Sequence, residues 1–181
     1  MKIRRDKLKK LVADAGVSVA ELASAVERTG LSGDRAESAV RNWMAGSDHP
    51  RCKSSDIERL AERLGCAVSE IAVFTSSVCY ARGSTRKARL VADLVRGRPV
   101  DEALNLLTFS TKRAAVNIKK ALTAAIADAD QADADVTALY VSQSHVDEGP
   151  VMKRFRPKDR GRAHAILKQT SHITIGVEER A

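Results

Sequence analysis

The hydrophobic period changes once along this chain. Up to about residue 126 the apolar residues recur every three or four positions, as on one face of a helix. From Leu139 they alternate, as on a strand. Two alternating stretches, "ALYVSQSHVDEGP" and "AILKQTSHITIGVEE", flank the segment "MKRFRPKDRGR", Met152 to Arg162. In the first stretch Leu139, Val141, Gln143 and His145 share one face, and Tyr140, Ser142, Ser144 and Val146 the other. In the second, Ile173, Ile175 and Val177 share a face. Two strands joined by a turn make a hairpin over about 139–177, with its tip at 151–162. Both strands turn polar toward the join, so this hairpin is expected to project beyond its own core.

The tip holds Lys153, Arg154, Arg156, Lys158, Arg160 and Arg162 against the single acid Asp159. Like charges repel, so such a cluster requires an oppositely charged partner. The whole chain has the same bias, with a net charge of +8 and a pI near 9.7. A polyanion, with nucleic acid the default, is the partner this implies. The bias is uneven. Residues 1–74 hold 13 Lys/Arg against 11 Asp/Glu, while residues 78–181 hold 18 against 12. Aromatic residues are only 3% of the chain, so any core must be built from Ala, Val, Leu and Ile.

Residues 1–76 read as an all-α domain. Leu8, Leu11, Val12 and Ala15 fall on one helix face, closed by Gly16. Ser18 with Glu21, and Ser55 with Glu58, have the spacing of capping boxes. Val40, Trp43 and Met44 share a face, which makes Trp43 a core anchor. Ile57, Leu60, Ala61 and Leu64 form another stripe, and Val68 to Phe74 a final short helix. Residues 77–181 open with a short strand-like piece in "VCYARG" and continue with helices, the first capped by Ser84. Leu90, Val91, Leu94 and Val95 line the first, Ala103, Leu104 and Leu107 the second, and Ala114, Ile118, Leu122 and Ile126 a long third. The acidic loop "DADQADAD" should face solvent. The fold class is therefore α+β: three helices packed on a small antiparallel sheet with a long protruding hairpin, preceded by an all-α domain.

The carrying residues "LKKLVADAGVSVAELASAV", "VRNWMAGSDHPR" and "IERLAERLGCAVSEI" resemble the helix-turn-helix domain of phage-repressor-type regulators. In that family the third helix enters the DNA major groove. The resemblance makes Glu37, Ser38, Arg41 and Asn42 candidate nucleic-acid contacts. The link between the second and third helices is longer than the usual tight turn, and a helical module docking on protein or RNA fits the same residues.

The second half resembles large-subunit ribosomal protein twenty-two across 79–181. The blocks "STRKARLVADLVRGRPVDEALNLLTFSTKRAAVNIKKALTAAIADA", "VDEGPVMKRFRPKDRGRA" and "ILKQTSHITIGVEE" stand in the family's order. The resemblance implies a non-enzymatic protein that binds large-subunit ribosomal RNA, supports early subunit assembly and lies beside neighbouring large-subunit proteins. Its globular part is expected near the exit of the polypeptide tunnel. Its hairpin is expected to line the tunnel wall, where the nascent polypeptide passes. By the same resemblance Met152, Lys153, Arg154 and Arg160 face the tunnel. Arg82, Arg86, Lys87, Arg89, Lys112, Lys119, Lys120, Lys153, Arg154, Arg156, Lys158, Arg160, Arg162 and Lys168 contact RNA. Phosphates around the tip would attract its cations, and arginine can bond a phosphate twice or stack on a base. Asp159 departs from the family pattern and would be repelled there unless Arg156 or Arg160 pairs with it. Gln169 also stands where a basic residue is usual. The helical domain at 1–76 has no counterpart in the ordinary family member, and its partner is unknown.

Other chemistries find little support. His49, Cys52, Cys66 and Cys79 lack the two-residue cysteine spacing of zinc ribbons. Three cysteines without an export signal fit free thiols in a reducing cytoplasm. His145, His164 and His172 are accompanied by no nucleophile elbow, metal-binding helix or phosphate loop. No apolar run is long enough to span a membrane, and no cofactor, metal or enzymatic activity is expected. The alternatives to a ribosomal role are a sequence-specific DNA-binding regulator acting through the first domain, or an adaptor that recruits protein near the tunnel exit.

Overall fold

The computed structural model describes residues 1–180. The chain runs β1 (Lys2–Ile3), α1 (Arg5–Ala15), α2 (Val19–Ala25), α3 (Asp34–Ala45), α4 (Ser54–Leu64), α5 (Val68–Ile71), β2 (Ala72–Arg82), α6 (Thr85–Val95), α7 (Val100–Phe109) and α8 (Arg113–Asp130). A 3-10 turn at Val136–Ala138 then leads into β3 (Leu139–Glu148), β4 (Met152–Pro157), β5 (Ala163–Lys168) and β6 (Thr170–Glu179). Two compact units result. One comprises Met1–Phe74 with Ala129–Ala134, the other Thr75–Asp128 with Asp135–Arg180. The boundary expected after residue 76 falls within β2.

In the first unit α1 buries Leu8 and Val12, and α3 buries Ala36, Ala39, Val40 and Trp43. Trp43 is a core residue, and its Nε1 donates to the carbonyl of Pro50 at 2.8 Å. Ser18 caps α2 as its spacing predicts, its hydroxyl accepting from the Glu21 amide at 3.3 Å. The second cap is displaced from the expected pair. The Lys53 amide donates to the Asp56 carboxylate at 2.9 Å, rather than Ser55 pairing with Glu58. Asp56 is wholly buried and lies 3.3 Å from Arg28, a distant partner that sets where α4 begins. The unit is also not purely helical. Ala72–Phe74, expected as helix, open strand β2, where Lys2 and Ile3 pair antiparallel with Val73 and Ala72. A short apolar run has no period long enough to separate helix from strand, and here β1 decides.

In the second unit β6 lies between β2 and β3. Strands β3 and β6 pair antiparallel from Leu139–Glu179 to Glu148–Ser171, with an irregularity between Val141 and Gln143. One extra residue there moves the following side chains to the opposite face. The buried set is thus Leu139, Val141, Ser144 and Val146, not a single unbroken alternation, and His145 is exposed. Ile173, Ile175 and Val177 are buried together as their alternation predicts.

Three helix faces differ from expectation. On α1 Leu11 is half-buried and Ala15, in the last turn, is exposed. Helix α6 buries Ala88, Val91, Ala92 and Val95, but leaves Leu90 62% exposed and Leu94 exposed as well. Its rotation is tied by Arg89, whose Nε donates to the Val146 carbonyl at 3.1 Å, and by Arg96, which donates to the Ser144 carbonyl. Helix α8 buries Ala115, Ile118, Ala121, Leu122 and Ala125, while Ala114 and Ile126 are only half-buried. A strict four-residue seam drifts about 40° per step on a helix of 3.6 residues per turn, so it leaves the core side within a few turns. Of the acidic loop, Asp130, Asp133 and Asp135 are exposed.

Candidate nucleic-acid interface

The hairpin begins at a tight joint. The Gly149 amide donates to the Thr170 carbonyl at 2.9 Å, and the Thr170 hydroxyl donates to the Pro150 carbonyl at 2.7 Å. On the other side, the Gly83 amide donates to the Gln169 carbonyl at 3.2 Å. The Tyr80 ring meets the His172 ring edge-on with centroids 4.7 Å apart, and the Tyr80 amide donates to His172 Nδ1 at 3.3 Å. This is the role the structure assigns His172: an acceptor that fixes the end of β2, where Tyr80 takes a left-handed backbone with φ 57°.

Beyond the joint, β4 and β5 form a separate two-stranded ladder. Every residue from Lys153 to Gln169 is exposed, so this extension has no core of its own. Its register pairs Met152 with Lys168, Lys153 with Leu167, Arg154 with Ile166, Phe155 with Ala165, Arg156 with His164 and Pro157 with Ala163. Directly opposed residues lie on the same face of an antiparallel pair. One face therefore carries Arg154, Arg156, His164 and Lys168 with Met152 and Ile166. The other carries Phe155, Pro157, Ala163, Ala165 and Leu167 with Lys153. Phe155 is 74% exposed. The segregation into a cationic and an apolar face is invisible until the register is known.

The tip closes through its backbone. The Lys158 amide donates to the Arg162 carbonyl at 2.7 Å, and the Arg162 amide to the Asp159 carbonyl at 3.2 Å. Arg160 and Gly161 both take left-handed backbone, φ 55° and 70°. Arginine is unfavourable there where glycine is at ease, so the chain accepts a small strain to place a cation at the turn. Among the described residues Lys153, Arg154, Arg156, Lys158, Arg160, Arg162 and Lys168 form no ion pair, and Asp159 pairs with neither Arg156 nor Arg160. The one side-chain bond in this group is from Arg154 to the Lys153 carbonyl, at 2.7 Å.

The other candidates separate by what they touch. Arg82, Arg86 and Lys87 are exposed, and the Gly83–Gln169 bond holds Arg82 beside the foot of the extension. Arg89 is engaged with the Val146 carbonyl, which makes it a positioning group for α6. Lys112 and Lys120 are exposed, whereas Lys119 donates to the Thr108 hydroxyl at 2.9 Å. On α3, Arg41 and Glu37 pair with each other at 2.8 Å, and Asn42 donates to the His49 carbonyl at 2.9 Å. Ser38 is exposed. Helices α2 and α3 are joined by Val26–Gly33, which Arg28 and Leu31 cross-link through their backbones.

The thiols lie in unlike surroundings: Cys52 buried, Cys66 half-buried, Cys79 exposed. Burial, then the Asp56 and Asp48 carboxylates, push the Cys52 thiol up to about 12. Burial and Glu70 raise Cys66 as well. Among the described residues no group of three or more His, Cys, Asp or Glu side chains converges as a metal site would require, and no helix is long and apolar enough to cross a membrane.

Residues 76–178, which take in the second half of β2, strands β3 and nearly all of β6, helices α6 to α8 and the whole exposed extension, match the family model described as ribosomal protein L22p/L17e.

Proposed function

The chain belongs to the ribosomal protein L22p/L17e family, and from that premise we propose that its hairpin extension forms part of the wall of the polypeptide exit tunnel. Membership makes it a structural, RNA-binding protein of the large ribosomal subunit rather than an enzyme. The finer reading is that the β4–β5 extension inserts into folded ribosomal RNA, with the globular part near the tunnel exit and the nascent polypeptide passing the tip. Binding there would help fold the RNA early in subunit assembly, in the cytoplasm and beside other large-subunit proteins.

One observation carries this reading. An ordered ladder without a core presents seven cations that no carboxylate of the described chain neutralises. In water such an arrangement gains nothing from packing and suffers self-repulsion. Surrounded by phosphates, the same cations release counterions and bind. Arg82, Arg86 and Lys87 at the foot of the extension, with Lys112 and Lys120 on α8, would extend the contact onto the globular part. The DNA-regulator reading has no comparable support, because two of its contact groups on α3 are spent on each other and a third on a loop carbonyl.

The test is sucrose-gradient sedimentation of cells expressing the full chain or a variant with Arg154, Arg156 and Arg160 changed to Gln. Full-length protein should travel with large subunits and intact ribosomes, and the variant should leak to the top of the gradient. A full-length chain that stays at the top would overturn the ribosomal placement. A variant that incorporates as well as the parent would overturn the role of the extension.

A further inference from the structure

The first unit carries a basic segment on β1 and α1 that the family match does not cover. We infer that Lys2, Lys7, Lys9 and Lys10, carried on β1 and around the first turns of α1, bind the phosphate backbone of ribosomal RNA. The inference rests on the ribosomal reading for the identity of the polyanion.

The charge distribution is the first observation. Residues 1–10 contain Lys2, Arg4, Arg5, Lys7, Lys9 and Lys10 with Asp6 as the only acid. Residues 11–74 contain 7 Lys/Arg and 10 Asp/Glu, net −3. A near-neutral total thus conceals a basic end on an acidic body.

The second observation is which of these cations are already satisfied. Asp6 lies 3.3 Å from Arg5, so the only acid in the run is occupied by one neighbour. Arg5 itself lies across the end of α3, where a Cβ on Gly46 would come within 2.9 Å of its Cδ. Elsewhere in the unit Arg28 pairs with Asp56 and Arg41 with Glu37. Among the described residues Lys2, Lys7, Lys9 and Lys10 have neither an ion pair nor a side-chain hydrogen bond. Lys2, Lys9 and Lys10 are exposed and Lys7 is half-buried.

The third observation is order. Basic N-terminal runs are commonly solvated tails, but this one is built into the fold. Lys2 sits in a strand opposite Val73, the Arg4 amide donates to the Ile71 carbonyl at 2.8 Å, and the Leu8 amide donates to the Arg4 carbonyl at 2.9 Å. The backbone that carries the lysines is therefore ordered before any partner arrives, which lowers the ordering cost of binding. A protein partner would want apolar surface at the centre of its footprint. Leu8 and Val12 of α1 are buried and Ile3 and Leu11 half-buried, so the large side chains this segment exposes fully are charged, and a phosphate backbone fits them.

The test uses the full chain, purified large-subunit ribosomal RNA and filter binding over a potassium chloride series. Three proteins are compared with the parent: Lys2→Gln/Lys9→Gln/Lys10→Gln, the same three positions changed to Arg, and Arg154→Gln/Arg156→Gln in the extension. The Gln triple should bind about tenfold more weakly at low salt, and its log–log salt slope should fall by about 2, from about 0.7–0.9 per lost phosphate contact. The Arg triple should keep both affinity and slope. Thermal melting should be unchanged in all three, since the altered side chains are exposed. Unchanged affinity and slope in the Gln triple, with loss in the extension variant, would overturn this inference alone. No loss in either variant would overturn the ribosomal reading beneath it. Lost association of the Gln triple with another ribosomal protein, at unchanged RNA affinity, would reassign the surface to a protein partner.

Discussion

Gly149 and Thr170 face each other across the joint of the hairpin with no room for a side chain between them. A Cβ on Gly149 would come within 2.5 Å of the Thr170 hydroxyl and 3.2 Å of its carbonyl carbon. The same hydroxyl bonds the Pro150 carbonyl, so it cannot simply swing aside. Gly149→Val should therefore destabilise the joint by about 1–3 kcal/mol, the usual cost of overpacking. Amide hydrogen exchange at Gly149 should accelerate while the centre of the β3–β6 ladder stays protected. Unchanged exchange at the joint would show that the strands absorb the methyls by a shift.

Asp56 and Arg28 predict a second, independent effect. Asp56 is 0% exposed, and its carboxylate both faces Arg28 and accepts the Lys53 amide at the start of α4. Asp56→Ala removes the cap and leaves a largely buried guanidinium without its anion, which should cost about 3 kcal/mol or more. The chain has one tryptophan, Trp43, in the core of this unit. Urea unfolding followed by its fluorescence should show the loss as a lowered midpoint. A double variant with Arg28→Met should recover part of it, because the unpaired charge is gone.

Cys52 gives a pH prediction with a definite sign. Its thiol is raised from an ordinary 9.0 to about 12 by burial and by Asp56 and Asp48. A group whose pKa is higher folded than unfolded contributes stability that is fully present below the unfolded value and lost as pH climbs toward the folded one. The first unit should therefore weaken between about pH 9 and 12, and Cys52→Ala should flatten part of that decline in Trp43 fluorescence melts. At pH 8 a thiol reagent should label the exposed Cys79 quickly and leave Cys52 untouched until urea unfolds the chain.

The two faces of the extension should separate in binding experiments. Arg156 and Phe155 are neighbours in sequence, yet pair with His164 and Ala165 on opposite faces. Arg156→Gln should reduce the salt dependence of RNA binding by about 0.7–0.9 of a slope unit, one phosphate's share. Phe155→Ala should leave the slope unchanged, and should lower affinity by about 1–3 kcal/mol where the ring stacks on a base. Equal slopes for the parent and the Arg156 variant would place that cation away from phosphate.

The sequence by itself determined the parts whose physics is local. Alternation and charge are properties of neighbouring residues, so the two long strands, their basic turn and the absence of a core beneath it could be read directly. Turn and cap signals such as Gly16 and Ser18 with Glu21 are equally short-range, and Trp43 reads as core from the face it shares with Val40. What only the tertiary structure decided depends on partners far along the chain. Ser142 sits at an irregularity that swaps the faces of β3, because β6 pairs out of step there. Helix α6 turns Leu90 and Leu94 outward because Arg89 and Arg96 bond to carbonyls of β3 more than forty residues away. Helix α4 starts two residues earlier than its serine spacing suggests, with Lys53 rather than Ser55 at its cap, because Arg28 holds Asp56. Which cations of α1 are left without an acid emerges only once Arg5 is seen to pair with Asp6. Each of these is a choice among locally equivalent alternatives, and a contact made in space, not a preference carried by the residue, selects between them.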